Sequence, residues 1–176
     1  MHRRTLAATC LTAAGLALTA CSSNDSGSTA AGSKPDMAAS TTEAGTPKDA
    51  TADYALIHGA IPTTALTATV TAANDGNHLL GRPHQYTSAI KFSDSRIKAA
   101  DVDGLDKDDV TRGGGIEVFG NHDDAQARAA YIQAVTKGMP ALTEYDYVSG
   151  NVVVRVSHLL TPDQAGKYKA AAAKLG

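Results

Sequence analysis

From residue 85 onward, the spacing of hydrophobic and polar positions predicts most of the elements of this chain. Residues 86–92 alternate between larger and smaller or charged side chains, which predicts a strand. Residues 116–119 predict a second strand, and the three glycines 113–115 before it predict a flexible entry. Residues 144–148 and 152–157 are rich in β-branched and aromatic side chains and flank a Ser-Gly-Asn turn, so they predict a hairpin.

Two further segments have the capping residues and the periodicity of helices. The first begins at Asn121, has acidic residues 123–124 in its first turn, and ends before Pro140. The second begins at Thr161, with Gln164 three positions later in the spacing of a capping box. Both helices are rich in alanine, so each is expected to bury a narrow apolar stripe.

The order strand, strand, helix, strand, strand, helix predicts one two-layer α+β domain. It would contain a four-stranded, mostly antiparallel sheet with both helices on one face, in the order ββαββα. Alternation divides the strand side chains between the two faces of this sheet. The face toward the helices would carry Ile90, Phe92, Ile116, Val118, Tyr145, Tyr147, Val154 and Val156. The other face would carry Lys91, Glu117, Phe119, Asp146, Val153 and Arg155.

The second face allows two interpretations. With Lys91, Glu117 and Arg155, the apolar Phe119 and Val153 form a candidate binding face. Alternatively, the apolar pair is covered by residues 54–80 folding back over the sheet. We favour the cover, because monomeric proteins seldom leave such apolar patches exposed.

Residues 54–80 are the least regular part of the pattern. Residues 54–57 fit either a short helical turn or a strand, and both remain open. Residues 66–71 alternate like an edge strand. Residues 74–77, with the sequence Asn-Asp-Gly-Asn, predict a turn.

The first 20 residues have the three parts of a signal peptide: a basic start, an apolar run, and small residues before a cysteine. The apolar run over residues 6–18 is shorter than the ~20 residues that a membrane-spanning helix needs. Leu18-Thr19-Ala20-Cys21 places a bulky residue where a general signal peptidase selects a small one. It resembles the bacterial lipobox, in which the cysteine thiol receives a diacylglyceryl group and the chain is cleaved before it. A signal peptide with an accidental cysteine is the alternative.

The resemblance to the lipobox implies lipidation at Cys21, with acyl chains such as palmitate in the membrane. One acyl chain holds only marginally, whereas several chains on one residue give a lasting anchor. We therefore expect the protein to lie at the extracytoplasmic side of the cell membrane. Residues 22–52 contain almost no large apolar side chain, so residues 21–52 predict a lipidated, disordered tether. All tyrosines and phenylalanines follow Asp53, which predicts the folded domain at 53–176.

Charge and cysteine content exclude several classes of protein. The chain holds 16 basic residues against 18 acidic ones, and removal of Arg3 and Arg4 with the signal peptide leaves a net charge of −4. A nucleic-acid partner is therefore not expected. The two cysteines are Cys10, which lies in the signal peptide, and Cys21. The exported domain accordingly has neither a disulfide nor a cysteine nucleophile.

Candidate chemistry in the domain is sparse. His58, His78 and His84 are the only set that suggests a metal site, and they lack the spacing of a known zinc motif. Residues 101–109 are acidic, but their glycine does not stand at the sixth position of a calcium loop. The glycines 113–115 lead into a strand, so they lack the helix N-terminus of a phosphate loop. No cofactor and no catalytic residue are predicted.

Several segments over residues 75–175 are similar to a family of uncharacterised lipobox-containing lipoproteins from high-G+C Gram-positive bacteria. The similar segments are Leu79-Leu80-Gly81-Arg82-Pro83, Tyr86-Thr87-Ser88, Lys91-Phe92-Ser93-Asp94-Ser95-Arg96, Gly114-Gly115-Ile116-Glu117-Val118-Phe119 and Leu160-Thr161-Pro162-Asp163-Gln164-Ala165. The resemblance implies a location in the cell envelope and one compact domain. It implies no reaction.

The sequence therefore predicts a membrane-anchored extracytoplasmic lipoprotein that serves as a non-enzymatic binding or accessory module of the cell envelope. Its partner would be an envelope protein or a small ligand. One alternative is a small metal-dependent hydrolase that uses the three histidines and Arg82. A second is a solute-binding protein, although ~120 residues are few for two hinged lobes.

Overall fold

The computed structural model describes residues 49–175, and the signal peptide, Cys21 and most of the predicted tether lie outside these residues. Within this range the chain forms three α-helices, five strands and three short 3₁₀ turns. The helices are α1 (Ala50–Ala60), α2 (His122–Thr136) and α3 (Pro162–Ala172). The strands are β1 (Thr64–Thr69), β2 (Ser88–Asp94), β3 (Gly113–Val118), β4 (Glu144–Ser149) and β5 (Val152–Ser157).

The strands form one open sheet in the order β1-β2-β3-β5-β4, and every neighbouring pair is antiparallel. This confirms the α+β class, the antiparallel sheet and the hairpin of β4 and β5. The predicted counts of four strands and two helices are wrong, because β1 and α1 also belong to the domain. β1 has the edge position that its alternating sequence predicted.

Helix α1 resolves the ambiguity at residues 54–57. The Asp49 side chain caps the helix by accepting a hydrogen bond from the Thr51 backbone N–H at 3.2 Å. Ala50, Tyr54 and Ile57 follow at spacings of four and three, so they share one face of the helix and are buried. The helix also takes in residues 50–52, which the tether prediction had included.

The three helices lie on opposite faces of the sheet. Helices α1 and α3 pack on the face that carries Ile90, Ile116 and Val154, which we call the packed face. Helix α2 packs on the other face against Phe119 and Val153, which we call the cleft face. The prediction of both helices on one face is therefore wrong. The sheet carries apolar side chains on both faces, and α1 takes the place beside α3 that the prediction gave to α2.

The packed face contains the larger apolar core. Phe92 stacks on Tyr168 of α3 with their ring centroids 5.7 Å apart, and Tyr54 of α1 lies against the same phenylalanine ring. Tyr145 and Tyr147, predicted for this face, pack against its margin. Tyr168 also donates a hydrogen bond of 2.6 Å to the buried Asp94 carboxylate, which Arg96 binds as well.

The three consecutive glycines are part of β3 and not a flexible entry to it. All three are buried and paired with β2 on one side. A Cβ atom on Gly114 would lie 2.5 Å from the Phe92 ring, and one on Gly115 would lie 3.2 Å from Lys91 Cδ. The missing side chains therefore leave room for large neighbours on both faces of the sheet.

The predicted helix caps are confirmed. The Asn121 side chain accepts a hydrogen bond from the Asp124 backbone N–H at 2.9 Å. Thr161 and Gln164 form the reciprocal bonds of a capping box. No helix among residues 49–175 has both the length and the hydropathy needed to cross a membrane.

Candidate functional site

The cleft face is covered at one end by α2 and the loop of residues 70–86. Phe119 and Val153 are fully buried there, packed with Ala125 and Ala129 of α2 and with Tyr86. They are consequently not open to a ligand. The preferred interpretation was a cover by residues 54–80. It holds for the last part of that range, since Val70, Leu79 and Leu80 also pack against Phe119 and Val153. Residues 50–60 lie on the packed face instead.

A buried carboxylate fixes the covering loop. Asp75 accepts hydrogen bonds from the Tyr86 hydroxyl at 2.6 Å and from the backbone N–H groups of Leu79 and Leu80 at 2.7 and 2.8 Å. Burial alone would raise the pKa of Asp75, but these bonds outweigh it and hold the pKa below its usual value. These bonds within the chain hold the loop in place.

The cover leaves an open cleft beside α2. Five strands spaced about 4.8 Å apart make a sheet roughly 19 Å wide, whereas a single helix covers only about 10 Å. Two helices cover the packed face, but α2 alone lies on the cleft face, toward β4 and β5. The remaining space is a cleft of about 810 Å³ above β2, β3 and β5, bounded by α2 and by residues 106–111.

The floor of the cleft is a set of charged side chains brought together by strand register. Lys91, Gly115, Arg155 and Asp146 lie directly opposite one another on β2, β3, β5 and β4. Glu117 lies two residues after Gly115 and points to the same face. Lys91, Glu117 and Arg155, which the sequence placed on one candidate face, are therefore neighbours in the fold and line the cleft.

Glu117 is the centre of this charged floor. Its carboxylate accepts hydrogen bonds from Arg128 Nε at 2.9 Å and from Arg155 Nη1 at 2.9 Å, and its side chain is only 3 % exposed. Burial disfavours the charge, but Arg155 and Arg128 outweigh that effect and lower the pKa of Glu117. This triad is a buried, fully bonded network, which fixes the positions of both guanidinium groups.

Two carboxyl groups on β4 share the other side of Arg155. Glu144 accepts hydrogen bonds from Arg155 Nε at 2.9 Å and from Arg155 Nη2 at 3.1 Å. Burial and the nearby Asp146 carboxylate raise the pKa of Glu144 to about 7, and burial raises the pKa of Asp146 also. One Asp146 oxygen, Oδ1, is buried without a hydrogen-bond partner among the described residues. A proton held between Glu144 and Asp146 would satisfy it, as in other close carboxyl pairs.

Lys91 differs from the other charges of the floor. Its side chain is half-buried and lies above Gly115, where Nζ is 3.5 Å from the place that a Cβ atom would occupy. Among residues 49–175 it has neither a hydrogen bond nor an ion pair, because the nearby carboxylates bond the two arginines. Burial and the positive charge of Arg155 lower the pKa of Lys91. The ammonium group therefore lines the cleft with its donors unused.

The structure does not bring the three candidate metal ligands together as a metal site. No group of three His, Cys, Asp or Glu side chains within the described range is placed to hold a metal ion. His58 Nδ1 on α1 lies 3.1 Å from the Thr64 carbonyl oxygen, and His84 Nδ1 lies 2.9 Å from the Asp124 carboxylate. His78 stands in the loop with a positive φ of 53°.

Sequence reasoning missed Arg128 and Glu144. Arg128 follows the apolar stripe position Ala125 by three residues, so it lies at the margin of the buried face of α2. Placing it over Glu117 required knowing that α2 lies on the cleft face. Glu144 begins β4 and shares a face with Asp146, so its place was readable from alternation alone.

Comparisons of the chain with protein-family models, with curated proteins and with solved structures found no match. The chemistry of the cleft is therefore inferred from its own residues.

Proposed function

We propose that this protein is a lipoprotein anchored through Cys21 at the extracytoplasmic side of the cell membrane, where its domain binds a small ligand without transforming it. The anchor is supported by the order of basic start, apolar run, lipobox-like Leu18-Thr19-Ala20-Cys21 and polar tether. The observation that carries the binding function is the cleft of about 810 Å³, whose floor presents an unpaired ammonium group on Lys91.

The state of the other charges favours binding over catalysis. Glu117 and Glu144 each accept bonds from arginine, so both carboxylates are held in structural pairs. A general base must be free to accept a proton from a substrate. The N–H donors of Lys91, in contrast, have no acceptor, and a bound ligand would supply one. The cleft volume is within the range of small-molecule sites.

The anchor is tested by detergent phase partition of the full chain expressed in its native type of host. Cys21→Ser is expected to move the protein from the detergent phase to the aqueous phase, because the lipidated thiol is lost. Cys10→Ser, within the signal peptide, is the matched control and should leave the partition unchanged. A wild-type protein whose mature N-terminus lies elsewhere, or whose Cys21 thiol is bare by mass spectrometry, would refute the anchor.

The binding function is tested by NMR on the full chain in detergent. A library of small envelope metabolites and fragments is added, and shifts of the Lys91 and Leu142 resonances report on the cleft. The expected ligand shifts these resonances saturably and is recovered chemically unchanged. Recovery of a converted product would overturn the non-enzymatic assignment. A library in which no compound shifts the cleft resonances would overturn the binding function.

A further inference from the structure

We propose that the ligand of the cleft is a monocarboxylic acid with an apolar body, whose carboxylate accepts hydrogen bonds from Lys91 Nζ. This inference rests on the binding function proposed above and adds the chemical class of the ligand. It is carried by three features of the cleft: an unpaired cation on the floor, exposed apolar side chains in the wall, and an acidic segment in the lining.

The floor favours an anion. Lys91, Arg128 and Arg155 face Glu117, Glu144 and Asp146 across β2, β3, β5, β4 and α2. Both arginines are bonded to carboxylates, so the lysine is the one cation of the floor without a bonded counter-ion. If Glu144 and Asp146 share a proton, the floor carries one positive charge in excess. One carboxylate would neutralise that charge and complete the hydrogen bonding of the ammonium group.

The wall formed by α2 and the turn after it favours an apolar body. Tyr131, Val135 and Leu142 line the cleft and are 62 %, 44 % and 54 % exposed. Exposed apolar side chains that gather at the side of one cleft, and not singly over the surface, are typical of a ligand-binding wall. A ligand held by Lys91 at its acidic end would lie with its remaining carbon atoms along this wall.

The acidic segment of the cleft lining disfavours ligands with more negative charge. Asp106, Asp108 and Asp109 belong to it, with Lys107 as the only basic residue of residues 106–109. Lys107 lies 3.6 Å from Asp108, so it neutralises part of the acidic charge and leaves the rest. A phosphate monoester, with its second negative charge, would meet repulsion there that a carboxylate largely escapes.

The test uses NMR titration of the full chain in detergent with hexanoate, hexanamide and hexyl phosphate. These probes share one apolar body and differ in charge. Hexanoate should bind about tenfold or more tightly than hexanamide, because a charge-assisted hydrogen bond is lost with the amide. Hexyl phosphate should bind more weakly than hexanoate. Equal affinities for hexanoate and hexanamide, or a preference for hexyl phosphate, would overturn the carboxylate class.

Substitution of the lysine separates this role from a structural one. Lys91→Met should lower hexanoate affinity by about tenfold or more while leaving hexanamide affinity within about twofold. It should also raise the thermal unfolding midpoint slightly, because a half-buried ammonium group without a hydrogen bond is removed. Lys98→Met, an exposed lysine that does not line the cleft, is the matched control and should change neither quantity. An unchanged hexanoate affinity in Lys91→Met would refute the proposal.

A second pair of variants tests the apolar wall. Leu142→Asn should weaken hexanoate binding but leave acetate binding unchanged, because acetate has no chain to lie on the wall. Leu56→Asn is the matched control, since Leu56 is similarly exposed but lies on α1 at the other face of the sheet. Equal weakening by both variants would refute the wall. If hexanoate does not bind but other, non-carboxylate library compounds shift the cleft resonances, the proposed carboxylate class of ligand is wrong and the binding function stands.

Discussion

The two faces of the sheet are built from the same five strands, yet they are filled in different ways. On the packed face, α1 and α3 bury a continuous apolar cluster that contains Phe92, Ile116 and Tyr168. On the cleft face, α2 covers one end and leaves a floor of paired charges around Glu117. The larger apolar core therefore lies on one side of the sheet, and the open cleft lies on the other. A face with two helices has no room for a ligand, whereas a face with one helix does.

The largest expected difference between the faces comes from adjacent glycines in β3. Gly114→Ala should destabilise the domain by more than about 3 kcal/mol, because the new Cβ meets the Phe92 ring and the Arg155 backbone in the packed interior. Gly115→Ala places its Cβ 3.0 Å from the Ile90 carbonyl oxygen and 3.2 Å from Lys91 Cδ. These distances are longer than those at Gly114, and the lysine side chain can move into the cleft. Gly115→Ala should therefore lower the free energy of unfolding by less than Gly114→Ala does. It should also change the affinity for hexanoate, because Lys91 is displaced.

Urea unfolding followed by circular dichroism measures both variants. Gly166→Ala is the control, since Gly166 is exposed on α3 with open space around it and should tolerate alanine, with a gain of up to about 1 kcal/mol. A Gly115→Ala variant as unstable as Gly114→Ala would show that the cleft face is as tightly filled as the packed face.

The next largest effect is expected at the centre of the charged floor. Glu117→Gln should destabilise the domain by about 3 kcal/mol, because Arg128 and Arg155 then remain buried without their shared counter-ion. His84→Gln alters a hydrogen-bonded contact with Asp124 whose histidine side chain is 81 % exposed, and it should change stability by less than about 0.5 kcal/mol. Similar costs for the two variants, measured by urea unfolding, would mean that the floor contributes no more than a surface pair.

The two faces should also differ in the pH dependence of stability. On the packed face, Arg96 and Tyr168 outweigh burial and lower the pKa of Asp94 to about 2. The folded state then binds fewer protons than the unfolded chain, so about 2 kcal/mol of stability is lost as the pH falls from about 4 toward 2. On the cleft face the pKa of Glu144 is raised to about 7. The folded state binds more protons there, so stability falls as the pH rises from about 4.5 to 7.

Equilibrium unfolding at several pH values, with one variant for each face, separates these contributions. Asp94→Asn should make the acid limb shallower, with Asp75 and Glu117 accounting for what remains of it, and should leave the limb between pH 4.5 and 7 in place. Glu144→Gln should flatten the limb between pH 4.5 and 7 and leave the acid limb in place. A Glu144→Gln variant that keeps the wild-type slope between pH 4.5 and 7 would assign that slope to another group.

Local patterns predicted much of the fold. Strands β2 and β3, the hairpin of β4 and β5, and the caps at Asn121 and Thr161 all follow from alternation or from capping within a few residues. Helix α1 was left open because its Ala-rich first turn joins a polar segment without a clear break. The presence of an edge strand at β1 was readable from its alternation.

The candidate site was predicted only in part. Alternation placed Lys91, Glu117 and Arg155 on one face, and they do meet there. It also placed Phe119 and Val153 beside them, without distinguishing the covered end of the face from the open one. The histidine set did not converge, because its members stand on α1 and in the loop before β2. His58 is bonded there to Thr64, and His84 is bonded to Asp124 of α2.

Local sequence patterns specify the side of the sheet on which each strand residue lies, the start of α2 and of α3, and the resemblance of residues 18–21 to a lipobox. These are short-range properties, set by the two-residue repeat of strands and by contacts between near neighbours. The tertiary structure alone decided that α2 lies opposite α1 and α3. It thereby decided that Glu117 is paired with Arg128 while Lys91 is left without a partner. Such choices depend on which distant segment covers which apolar surface, and no local pattern encodes that competition.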